Sequence, residues 1–83
     1  MPEVVQVTPH ENYVVEVLFQ DGKIAHYGVS PLLEKGIFTL LKDKDFYKNR
    51  CTVMNHTLAW DISGEYNPRN CIDIDADMLY SLC

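Results

Sequence analysis

The sequence is poor in the patterns on which most function assignments rest. Its 83 residues hold no Cys-x-x-Cys, no His-x-x-x-His and no Gly-x-Ser-x-Gly, so the usual spacings of a zinc site and of an activated serine are missing. No apolar run approaches the ~18 residues a membrane span needs. Met-Pro-Glu-Val-Val at the start has neither the basic opening nor the apolar stretch of a signal peptide, which points to a cytoplasmic protein and no membrane partner. Positive charge is scarce: 7 Lys and Arg stand against 12 Asp and Glu, for a net of −5. That balance repels a phosphate backbone, so no nucleic-acid partner is expected. Cys51, Cys71 and Cys83 are an odd number without close pairs, which fits a reducing compartment better than a disulfide framework.

What remains is ordinary globular composition, 47% hydrophobic and 23% charged, for one domain over residues 1–83 without internal repeat or linker. A chain of this size buries roughly 60% of its unfolded surface and is marginally stable. Little stability is left over for a strained catalytic cleft, and no enzyme activity is expected.

Residues 3–8 and 13–19 are rich in Val and aromatic side chains and read as strands. Asp21-Gly22 is a two-residue hairpin signal. Used as the loop, it pairs Phe19 with Ile24, Val17 with His26 and Val15 with Gly28, and this set reads as the core face; Leu18 with Ala25 and Glu16 with Tyr27 take the other. Ser30-Pro31 reads as a helix start and Gly36 as its end, around residues 32–35. Ile37, Leu40 and Leu41 continue at helical spacing up to the charge run 42–45.

A second hairpin spans residues 51–60, with Asn55-His56 as its turn because Asn tolerates positive φ. Its register sets Val53 against Leu58, Cys51 against Trp60, Thr52 against Ala59 and Met54 against Thr57, with Trp60 as the core anchor. Residues 61–70 read as an irregular loop, 71–74 as a short strand, and Asp75 as the cap of a helix over 76–82 whose apolar stripe is Met78, Leu79 and Leu82. The expected fold is therefore α+β: a small antiparallel sheet built from two hairpins, with a short middle helix and a C-terminal helix.

Several patterns invite chemistry. Asp73-x-Asp75-x-Asp77 opens like a calcium loop, but Met78 stands where that loop needs Gly and its closing Glu would fall beyond Cys83. The three acids read instead as helix cap and first-turn residues. Cys51 and His56 are the closest metal-ligand pair, and the hairpin separates them. No metal or cofactor is expected. His26 is the one histidine on the predicted core face, where a hydrogen-bonded structural role outweighs that of a base; His10 beside Pro9 reads as solvated. Lys42, Lys44, Lys48 and Arg50 surround Phe46 and Tyr47, a mixture that can stack nucleobases. Asp43 and Asp45 dilute it to a local net of +2, and a solvated face with Phe46 turned inward is the better reading. Tyr66 and Arg69 have the residue types enriched at protein interfaces and are the candidate partner-binding residues.

The order of these features resembles the bacterial domain-of-unknown-function family 2442. The resemblance rests on Phe-x-Asp-Gly in the first hairpin, on Thr57-Leu58-Ala59-Trp60-Asp61-Ile62-Ser63-Gly64, and on Cys71-Ile72-Asp73-Ile74-Asp75 followed by Met78-Leu79-Tyr80. Residues 65–70 look like an insertion relative to shorter members, and Ala76 replaces a frequent Pro. The resemblance implies a small α+β domain with an antiparallel sheet. Members are sometimes fused to a helix-turn-helix, which is not present in these 83 residues, or encoded beside another small domain in a toxin–antitoxin-like arrangement. It carries over no catalytic or ligand residue; Trp60 and Tyr80 transfer as structural positions only.

Residues 61–83 place Asp61, Glu65, Asp73, Asp75 and Asp77 against Arg69 alone, a local net of −4. The expected function is a non-enzymatic protein-binding or regulatory module with an acidic end, antitoxin-like in the sense the resemblance implies, whose partner is the product of a neighbouring gene or a second copy of the chain. The alternatives are a small-molecule binder or minor enzyme using His26 with Glu16 or Tyr27, and a weak single-stranded RNA binder using Lys44, Tyr47, Lys48 and Arg50.

Overall fold

In the computed structural model, which describes residues 2–65, 67 and 69–83, the Val-rich start forms β1 (Val4–Pro9) and β2 (Val14–Phe19), joined to β3 (Ile24–Gly28). Two 3-10 helices, Ser30–Leu32 and Gly36–Lys42, lead to α1 (Lys44–Asn49). The chain closes with β4 (Cys51–Met54), β5 (Thr57–Asp61), β6 (Cys71–Asp73) and α2 (Ala76–Tyr80). The fold is α+β, with two three-stranded antiparallel sheets ordered β1-β2-β3 and β4-β5-β6. Where they meet, the Val4 N–H donates to the His56 carbonyl at 3.0 Å.

The first hairpin differs from the sequence expectation by one residue. Val17 pairs with Ala25, Glu16 with His26 and Leu18 with Ile24. The cause is the turn. A two-residue I′ loop needs positive φ at both residues, whereas in this loop only Gly22 has it, at +90°. The Gly22 N–H donates to Phe19 and the Phe19 N–H to Lys23, so Gln20-Asp21-Gly22 forms a three-residue loop closed by a left-handed glycine. Slipping one residue exchanges the two faces of β3. Ala25 is buried beneath Val15, Val17 and Phe19, while His26 lies outside with its side chain 62% exposed. His26 is not a core residue.

The second hairpin forms in the expected register throughout. Asn55 and His56 both adopt positive φ, 54° and 62°, which is the I′ requirement. Its inner strand β5 is buried along its whole length on both faces. Trp60 is fully buried and its Nε1–H donates to the Tyr47 carbonyl at 3.0 Å.

The middle segment is more tightly wound than expected. Residues 30–42 form 3-10 turns, and Ser30 makes no side-chain cap. Regular α-helix starts only where the Asp43 side chain accepts from the Asp45 N–H, within the charge run. That helix turns Phe46 partly inward against the core, as expected, and buries Tyr47 within it. Tyr47 packs on Tyr13 and Trp60, and its hydroxyl donates to the carbonyls of His10 and Val14 at 2.8 and 3.2 Å. In α2, Asp75 caps as expected and Leu79 is buried. The helix stops at Tyr80, so Leu82 does not join the stripe and is 47% exposed.

Candidate functional site

The acidic end is built by β6 and α2. Asp73 ends β6 with its side chain outward, Asp75 occupies the cap and accepts from the Asp77 N–H at 3.1 Å, and Asp77 stands in the first helical turn. All three are exposed, and among the described residues none of them forms a salt bridge. The local reason is helical: carboxylates at a helix start satisfy or face its free N–H groups. Three acids are thereby held at the surface with no salt-bridge partner among the described residues.

Beside this end, α2 reaches back to the first hairpin. The Tyr80 hydroxyl donates to Asp21 Oδ2 at 2.6 Å, and the ring stands edge-on to Phe19 with centroids 5.0 Å apart. That hydrogen bond, together with one from the Lys23 N–H, holds the Asp21 carboxyl below its ordinary range. The Lys23 ammonium lies 4.9 Å from the centre of the Tyr80 ring. The Gln20 N–H donates to the Glu3 carbonyl at 2.8 Å, which ties the start of β1 to the same turn. Together Pro2, Glu3, Phe19, Gln20, Asp21 and Tyr80 line an open groove of about 470 Å³.

Three of the four basic side chains of residues 42–50 pair within the molecule, while Lys44 is exposed and forms no salt bridge among the described residues. Lys42 pairs with Glu34 at 2.9 Å and Lys48 with Glu11 at 2.8 Å, and Arg50 lies 3.8 Å from Asp61, itself 1% exposed. The hydrogen bond and charge of Lys48 hold the Glu11 carboxyl below its usual range. Gly64 fits against this pair: a Cβ there would meet the Arg50 Nη1 at 2.9 Å. With the Tyr47 ring in the core, Tyr47 has no face for a nucleobase, which removes the stacking centre of the RNA reading.

Sequence reasoning placed Glu16 and Tyr27 on the face opposite His26. The structure instead brings Glu16 across from His26, with His26 Nε2 at 3.5 Å and His10 Nε2 at 3.8 Å from Glu16 Oε1. Tyr27 remains on the opposite face, partly packed against the core, and burial raises its hydroxyl pKa. Among the described residues no group of three or more His, Cys, Asp or Glu side chains could hold a metal ion. Arg69 is exposed in the turn before β6, its N–H bonded to the Asn67 side chain; Tyr66, its proposed companion, lies outside the described residues. Cys51 and Cys83 are free thiols, and the Asn55 side-chain amide lies 4.0 Å from Cys71 Sγ. Burial pushes the Cys51 thiol up to about 12, which leaves it protonated and unreactive. The Tyr80–Asp21 contact joins positions 59 apart and had no local signal; only the Leu-Tyr ending pointed to Tyr80.

An antiparallel α+β domain with this Trp–Gly and Ile-Asp-x-Asp ending defines the class. The chain belongs to the family described as a protein of unknown function (DUF2442), whose model matches residues 4–83. No curated protein matches the chain. No solved structure matches it either. Among the described residues no helix is long and apolar enough to cross a membrane.

Proposed function

We propose that the chain is a non-enzymatic binding module that meets a basic surface of a partner protein through the carboxylates of β6 and α2. The clustering of exposed carboxylates at one end carries this reading. Lys42, Lys48 and Arg50 each have a carboxylate partner within the molecule, whereas Asp73, Asp75 and Asp77 are exposed and have no salt-bridge partner among the described residues. Such a face steers encounter with positive charge and makes association salt-sensitive. A regulatory or antitoxin-like half of a bacterial two-gene pair fits that chemistry, with the neighbouring gene's product as partner. Three cysteines without close pairs in the sequence fit the reducing cytoplasm. The test is co-purification from the native host at native expression, at low and moderate salt, with the wild type and an Asp73→Asn/Asp75→Asn/Asp77→Asn variant. One stoichiometric partner, lost with salt and from the variant, is the expected result; a partner held equally by both at every salt concentration contradicts the reading.

One observation favours a second reading. Glu16 draws His26 and His10 together on the open face of the first sheet, and an imidazole–carboxylate pair can bind or protonate a small ligand. A His26→Gln variant that folds and keeps every function of the wild type would end it.

A further inference from the structure

We propose that the groove between the first hairpin turn and α2 receives an arginine or lysine side chain of the partner protein. The proposal rests on the binding-module reading and gives it a second, separable contact point. The groove's volume of about 470 Å³ falls in the ~300–1,000 Å³ range of ligand clefts. Its lining combines the two elements that hold a desolvating cation, the exposed carboxylate of Asp21 and the ring of Tyr80, with Glu3 as a second acidic residue at the rim. A long basic side chain suits both, because its methylene stem packs on rings while its head stays with carboxylates.

The fold already demonstrates this chemistry with its own chain. The Lys23 ammonium is held at the same corner, 4.9 Å from the Tyr80 ring centre and two residues beyond Asp21 in the turn. The corner is also preorganised. Tyr80 is braced by its hydrogen bond to Asp21 at 2.6 Å and by the edge-on contact with Phe19, and the Glu3 backbone carbonyl is tied to the turn through the Gln20 N–H. An incoming cation therefore meets an Asp21–Tyr80 pair that needs little ordering. Lys23 itself offsets part of the negative charge there, so its removal strengthens the site.

The test titrates the ¹⁵N-labelled chain with a blocked peptide carrying two arginines among glycines, and with the same peptide carrying neutral citrulline in their place. Expected are saturable amide shifts at Gln20, Asp21, Gly22, Lys23 and Tyr80 with the arginine peptide and none with citrulline. Lys23→Ala should tighten binding about two- to fivefold, the size of an exposed cation–π contact. Asp21→Asn and Glu3→Gln should each weaken it, with thermal unfolding confirming that both fold. Equal binding of the citrulline peptide, shifts confined to residues 73–77, absence of shifts at millimolar peptide, or indifference to Lys23→Ala each overturns the proposal. The two readings fail separately. A partner that binds the Asp21→Asn/Glu3→Gln double variant as tightly as the wild type but is lost from the triple-Asn variant removes the groove and leaves the acidic face.

Discussion

The two hairpins turn in different ways, and the difference decides which side chains face water. In the second, Asn55 and His56 both adopt positive φ, the loop has two residues, and β5 is buried on both sides. In the first, only Gly22 does so, the loop has three residues, and β2 is buried on one side alone. The open side carries Glu16, His26 and Ile24. Turn chemistry thus does more than reverse the chain; by fixing register it assigns histidine to the surface and alanine to the core.

The largest expected effect falls on the doubly buried strand. Trp60→Ala should cost about 3–5 kcal/mol, through the lost packing volume and the orphaned Tyr47 carbonyl, whereas Ile24→Ala on the open face should change stability by no more than ~0.5 kcal/mol. Equal losses in chemical denaturation would erase the contrast.

Opposite signs are expected at the turns. Gly22→Ala forces a side chain into φ +90° although nothing crowds the site, and should cost about 1–2 kcal/mol. His56→Gly relieves the same kind of strain and should gain about 0.5–1 kcal/mol after the added flexibility of glycine is subtracted. Thermal midpoints that move in the same direction would contradict the assignment of turn types.

Alkaline pH should weaken the junction on which the second hairpin rests. Burial holds the Tyr47 hydroxyl and the Cys51 thiol up to about 12, while an unfolded chain loses these protons near ~10 and ~8.5. Between those values the unfolded state binds fewer protons, so stability falls as pH rises through about 9 to 12. A flat profile over that window in urea titrations would argue against burial of both groups.

The smallest effect belongs to the first hairpin's brace. Asp21 has its carboxyl held down by Tyr80 and the Lys23 N–H. The brace therefore stabilises above the unfolded value of ~3.9 and is lost as pH falls through the lower folded value. Tyr80→Phe should be slightly less stable than the wild type at neutral pH and indistinguishable from it in acid. A gap that persists unchanged in acid would assign the brace to packing.

These contrasts also explain what could be read from the residues alone. Asn55-His56 has one turn solution, so the register, the burial of Trp60 and the pairing of Cys51 with it were all legible. Asp21-Gly22 has two solutions one residue apart, and local sequence does not choose between them. The full burial of Tyr47 was a tertiary outcome: its hydroxyl finds the carbonyls of His10 and Val14. The acidic segment and its Asp75 cap were legible because capping is local. Its significance was not, since the pairing of Lys42, Lys48 and Arg50 depends on Glu34, Glu11 and Asp61, which lie 8 to 37 positions from their partners.

The central claim is that a partner meets the exposed carboxylates of β6 and α2, and hydrogen exchange on the purified complex tests it most directly. The account predicts new protection over residues 71–80, with the open face of the first sheet, residues 14–28, exchanging outside the turn as in the free chain. Protection centred on Glu16 and His26 with none at 71–80 would contradict it and move attention to the imidazole cluster.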